Sequence, residues 1–173
     1  MHESDRHAAF PDRGRDLGAE GVEVVPMGGV QAIGRFLDRY GPHGLGVRVA
    51  GLYDAGEEGV VRRALERAGL DPGRTRGDLE ALGFFVCDAD LEEELIRALG
   101  AERVEEVVEA QGELGPFRTL QTQPAWLGRP HDEQLRRFMG SGGRRKIRYG
   151  RLLVEALDLD RMPRPLDALL AYV

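Results

Sequence analysis

Cysteine, lysine and long hydrophobic runs are all scarce in this sequence, and each scarcity excludes something. Cys87 is the only cysteine among 173 residues, so no disulfide can form within the chain and a reducing cytoplasm is the expected compartment. The first 30 residues contain no apolar run long enough for a signal peptide or a membrane span, and no membrane partner is expected. No Gly-x-x-x-x-Gly-Lys-Ser/Thr motif occurs, which excludes a P-loop ATPase. His2, His7, His43 and His131 are scattered without the spacing of metal ligands. Positive charge is in deficit: 24 Lys and Arg against 30 Asp and Glu leave a formal charge of −6. The surface as a whole therefore cannot act as a polyanion binder, and any nucleic-acid contact must be local.

What remains is a globular balance. Apolar residues at 42% and charged residues at 31% exclude a disordered chain. The length allows one ordinary domain with a small appendage and not two large ones. All but one of the 24 cations are Arg; the exception is Lys146. Such a bias replaces Lys wherever charge alone is needed. A lysine that survives it points to a site needing a compact point charge in place of a planar fork, with chance as the plain alternative.

Residues 1–20 show neither helical nor strand periodicity and read as an irregular N-terminal arm. From Gly21 the pattern becomes strand, turn and helix. Val22, Val24 and Val25 form a β-branched run, Gly28-Gly29 a turn, and Val30, Ile33, Leu37 and Tyr40 a helical stripe. The apolar run Val47 to Tyr53 ends in Asp54 and is followed by the stripe Val60, Val61, Ala64, Leu65 and Ala68. A third run, Phe84 to Cys87, ends in Asp88 and precedes a helix near 91–99. This alternation predicts an α/β fold with a Rossmann-like, mostly parallel sheet over residues 21–100. After Gly100 the strand signal vanishes, and helices near 132–139, 144–157 and 166–172 predict a C-terminal helical subdomain, 101–173, packed on the core.

In open α/β sheets ligands bind beyond the carboxyl ends of the strands. The second strand delivers Asp54 there, and the third delivers Asp88, Asp90 and Glu92. Acids gathered on one rim repel unless neutralised, and a hard divalent cation such as Mg²⁺ would do so. The alternative is that Asp54 and Asp90 are helix N-caps, with Glu92 complementing the helix dipole. On a helical wheel of about 100° per residue, Lys146 falls within the arc of Ile147, Val154, Gly150, Leu157 and Leu153, which predicts that it faces inward. Arg144, Arg145, Arg148 and Arg151 fall outside that arc and form a basic surface that a nucleic-acid backbone would suit. Lys146 also opens a helix after Ser141-Gly142-Gly143, where free amides favour a phosphate. Its alternative is a side chain that snorkels past Leu153 to water.

These motifs resemble the TOPRIM domain of OLD-family (overcoming-lysogenisation-defect) nucleases, particularly small actinobacterial TOPRIM proteins. The resemblance covers most of the chain and rests on Val25-Pro26-Met27-Gly28-Gly29, Gly51 to Glu58, Asp90-Leu91-Glu92 and Arg145-Lys146. It implies that Asp54, Asp90 and Glu92 bind Mg²⁺ (or Mn²⁺) and that Lys146 assists cleavage. Such domains open with a strand ending in Glu-Gly, which this sequence does not show. Ser4-Asp5-Arg6 is similar to the segment that follows it, making Asp5 an auxiliary catalytic acid and Glu3 the nearest stand-in for the glutamate. The expectation is then a shortened form whose upstream reading frame, or a partner chain, supplies the strand.

Three functional readings follow. The first is Mg²⁺-dependent cleavage of DNA phosphodiesters, impaired where the glutamate is missing. The second keeps the fold without the chemistry, as a metal- or nucleic-acid-binding accessory module working with a separate ATPase or as a homo-oligomer. The third is a phosphate or nucleotide binder cradled by Gly28-Gly29.

Overall fold

The structure is a computed structural model that describes residues 15–173. Asp5, Glu3 and most of the expected N-terminal arm lie outside the described residues. The fold is mixed α/β with a parallel sheet and a helical C-terminal region. The described residues divide into two compact units, one built on the sheet (Asp16–Leu91 with Arg164–Val173) and one built from helices (Glu92–Pro163).

In the sheet unit, β1 (Gly51–Asp54) pairs in parallel with β2 (Phe84–Cys87), in the register Gly51↔Phe84 through Asp54↔Cys87. Both strands are short and mostly apolar, as suits parallel strands covered on both faces. Side chains alternate between those faces. Tyr53 and Phe84 join a buried cluster with Ile33 and Leu37 of α1 (Ile33–Tyr40), Val61, Ala64 and Leu65 of α2 (Glu58–Arg67), and Leu79 of α3 (Arg76–Ala81). Phe85 meets Tyr172 edge-on, with ring centroids 6.0 Å apart.

Two features depart from the expected alternation. The run Val22–Val25 carries no regular secondary structure, so among the described residues the sheet has two strands. Between the strands, α3 follows α2, and the reason is local. Thr75 and Asp78 form a reciprocal capping box, the Thr75 hydroxyl accepting from the Asp78 amide while the Asp78 carboxylate accepts from the Thr75 amide. Arg62 of α2 then ties down the approach to α3 by donating to the carbonyls of Pro72, Gly73 and Thr75.

In the helical unit, α4 (Leu91–Leu99) turns at Gly100, whose φ of 82° suits glycine, into α5 (Ala101–Ala110). There follow α6 (Leu114–Gln121), α7 (His131–Met139) and α8 (Gly143–Ala156). Val104, Val108, Phe117, Leu135, Phe138, Tyr149 and Leu153 make its buried interior. Its aromatic spine runs from Phe117 to Phe138 at 5.3 Å and on to Tyr149 at 6.2 Å, both edge-on.

Compactness divides the chain within α4, after Leu91, and returns α9 (Arg164–Tyr172) to the sheet unit. The cause is the apolar face of α9, which buries Leu166, Leu169 and Leu170 and contacts both strands. Arg164 then reaches Glu80 with two parallel bonds of 2.7 and 2.8 Å, and that ion pair holds the Glu80 carboxyl below its ordinary value.

Gly83 links α3 to β2 with a φ of +89°, and a Cβ there would lie 2.6 Å from the Tyr172 ring. Gly83→Ala therefore combines left-handed strain with overpacking. It is expected to cost about 2–4 kcal/mol in urea unfolding, and an unchanged midpoint would refute this account of the α9 contact.

Candidate functional site

The parallel register sets the geometry at the carboxyl edge of the sheet. Asp54 lies opposite Cys87, so Asp88 and Asp90 leave the sheet from the edge at which Asp54 ends. Asp54 occupies the N-cap position of the short turn Ala55–Glu57 but makes no side-chain capping hydrogen bond, which removes the cap explanation for this residue. Cys87 is buried. A protein cation is also present at this edge: Arg76 donates to Glu58 at 3.2 Å and lies 3.9 Å from the Asp88 carboxylate. Part of the negative charge expected to need a metal is thus balanced by an arginine. Glu58 receives a second bond, 2.8 Å long, from Arg62, and these contacts hold its carboxyl below the ordinary range against the opposing effect of burial. Tyr53 is buried, and its hydroxyl finds no hydrogen-bond partner among the described residues. Burial, with the nearby Glu58 charge, pushes its phenol up.

In the helical unit the lone lysine meets one of the expected metal ligands. Lys146 Nζ lies 3.4 Å from Glu92 Oε1, with the lysine side chain 53% exposed and the glutamate 15%. The wheel reading of α8 needs correction in its centre. Ile147, at one edge of the inward arc, is 78% exposed, while Tyr149, left outside it, and Leu153, at its other edge, are fully buried. Rotating the arc onto Tyr149 leaves Lys146 at its rim, half in water, with its charge turned to Glu92.

The same rotation changes the four arginines expected to face outward. Arg145 is drawn in: its guanidinium lies 4.6 Å from the centre of the Phe138 ring, donates to Ser141 Oγ at 2.7 Å and reaches Glu113 at 3.2 Å. Arg148 donates to the other oxygen of Glu113 at 2.6 Å, and the Tyr149 hydroxyl donates to that same oxygen at 2.7 Å. Arg151 pairs with Glu155 one helical turn on, at 2.7 Å. Arg144 is exposed and pairs with no carboxylate among the described residues. Burial pushes the Glu113 carboxyl up, but the bonds from Tyr149, Arg148 and Arg145 outweigh it and hold the group below its ordinary value. Glu113 escaped the sequence reading because it stands 32 to 36 residues from its partners. No local spacing signals such a pairing.

No protein-family model matches the chain, and neither does any curated protein. Among solved structures it is similar to the C-terminal region of the Burkholderia pseudomallei OLD protein. The TM-score is 0.65 at 22% identity, covering 90% of this chain and 83% of that one. The likeness is one of fold, and the expected α/β architecture agrees with it.

Carboxylate oxygens are the donors Mg²⁺ takes, and it commonly uses one or two of them while keeping water or phosphate oxygens. Asp54 with its neighbours on the sheet edge fits that chemistry. A closed cage does not exist: among the described residues no group of three or more His, Cys, Asp or Glu side chains is arranged to hold a metal ion. Nor, among them, is any helix long and apolar enough to cross a membrane.

A carboxyl held below its ordinary value adds stability that is complete above the ordinary carboxylate range and is lost as pH falls through the folded-state value. Glu113→Gln is therefore expected to lower stability at pH 7 by about 1–2 kcal/mol, with the deficit closing in acid. Thermal unfolding of both proteins across pH checks this, and a deficit independent of pH would contradict it.

Proposed function

We propose that the protein is a TOPRIM-type nuclease of the OLD kind that cuts DNA phosphodiesters with Mg²⁺ (or Mn²⁺). In this reading Asp54, Asp90 and Glu92 supply metal ligands, Lys146 supplies the electrostatic catalyst, and Asp5 serves as an auxiliary acid. A bound Mg²⁺ would polarise the phosphodiester and lower the pKa of water. The observation that carries the reading is the ion pair between Lys146 and Glu92, which joins the only lysine to the Asp90-Leu91-Glu92 segment. The lysine end of the pair is half in water, while the glutamate end is largely covered. A phosphate oxygen bound beside Glu92 would share the ammonium, which would there offset charge developing in the transition state. The fold likeness to an OLD protein's C-terminal region supports the same assignment. The cytoplasm, DNA as partner, and a separate ATPase or a second copy of the chain complete the proposal.

One observation favours the non-catalytic module instead, namely the lack of a three-ligand metal cluster among the described residues. Plasmid nicking separates the two. The nuclease reading expects nicking with Mg²⁺ or Mn²⁺ that chelation abolishes and that Lys146→Arg, Asp54→Ala and Glu92→Gln each reduce by about 100-fold or more. DNA binding without nicking by the unaltered protein under either metal would leave the module.

A further inference from the structure

We propose that Glu113 is a built-in stand-in for a nucleic-acid phosphate. Its carboxylate fills an anion seat made by Arg145, Arg148 and Tyr149, and yields that seat when a backbone phosphate arrives. The proposal deepens the DNA-binding part of the reading above and rests on it, but it does not depend on cleavage.

The seat holds an anion in the structure itself. Two guanidiniums and a phenol hydroxyl converge on one carboxylate at 3.2, 2.6 and 2.7 Å. Forked donors of this kind serve carboxylate and phosphate alike. The seat opens into a surface cleft of about 520 Å³ lined by Glu113, residues 141–145 and Arg148. Three guanidiniums face one carboxylate there, so the cleft stays positive even while Glu113 is seated. Arg144 on its wall is exposed and pairs with no carboxylate among the described residues. The cleft also receives the start of α8, where Gly142 supplies no side chain to cap the first amides.

Glu113 has somewhere else to go. It follows Gly112 (φ 69°) in the turn before α6 and occupies the N-cap position of that helix, yet makes no side-chain capping bond to it. The Leu114 and Gly115 amides, Pro116 having none, and the positive dipole end of α6 thus offer its carboxylate a second resting place. Two competing partners for one charged side chain make a switch, and an incoming phosphate biases it toward release.

The test is fluorescence anisotropy of a labelled DNA duplex with EDTA present, at salt concentrations from about 50 to 200 mM. Glu113→Gln is expected to bind roughly fivefold tighter, with the salt dependence steeper by about one phosphate contact. Glu113→Asp keeps every charge and leaves the seat intact but draws the carboxylate back toward the start of α6, where Asp caps better than Glu; it is expected to bind roughly twofold tighter with the slope unchanged. Equal or weaker binding by Glu113→Gln with an unchanged slope makes Glu113 a strut that orients the arginines, and overturns the proposal. Should Glu113→Gln fail to fold by circular dichroism, Glu113→Asp decides, and unchanged or weaker affinity overturns it. Stabilisation of Glu113→Gln by inorganic phosphate, without any gain in duplex binding, overturns the assignment to nucleic acid. A wild-type protein that nicks no plasmid counts against the nuclease reading and leaves this comparison standing.

Discussion

Four residues of β1 paired in parallel with four of β2 hold the sheet unit together, and the direction of that pairing decides which segments share an edge. An antiparallel pair would send the segments after Asp54 and Cys87 to opposite ends; the parallel one releases both at one edge. The crossover that parallel strands require is filled by α2 and α3. Arg62 anchors the loop between them, and the Thr75 capping box starts the second helix. On one face the strands rest on α1, α2 and α3. On the other they rest on α9, so residues more than a hundred positions from β1 complete its cover.

The helical unit is organised around one turn of α8. Tyr149 is buried among Phe138 and its neighbours, yet keeps its hydroxyl on Glu113. Placing that tyrosine inward fixes every other side chain of the helix by rotation. Arg145 comes to lie over Phe138, Lys146 at the rim beside Glu92, and Ile147 in water. A helix with five cations among eight residues would repel itself, and Glu113, Glu92 and Glu155 each relieve part of that repulsion.

Fold alone does not determine activity, and the sheet with its helices would serve many chemistries. The narrower reading depends on particular side chains: an aspartate at a strand end that is not used as a cap, a lysine turned to a glutamate, and arginines already gripping an anion. Each is a local electrostatic fact, and the proposed phosphate chemistry rests on the three together.

Much of the core was legible from one-dimensional pattern. The stripes in α1, α2 and α8, the runs that became β1 and β2, and the acids placed after them follow from periodicity, because burial on one face repeats with the pitch of the element. The start of α3 is written in Thr75-x-x-Asp78, a signal that is local and independent of the apolar pattern. What periodicity misjudged was the centre of the α8 face. Ile147 and Tyr149 are both apolar enough to turn inward, and only packing against Phe138 chooses Tyr149. The Val22–Val25 run shows the same limit: β-branched residues favour extended backbone, but a strand needs a neighbour to pair with. The sequence by itself determined the class of fold, the lone lysine and the acids at the strand ends, since these depend on composition and short spacing. Tertiary structure alone decided that Lys146 meets Glu92, that Arg76 reaches Asp88 and that Glu113 gathers Arg145, Arg148 and Tyr149. Charges far apart along the chain are matched only when packing brings their elements together.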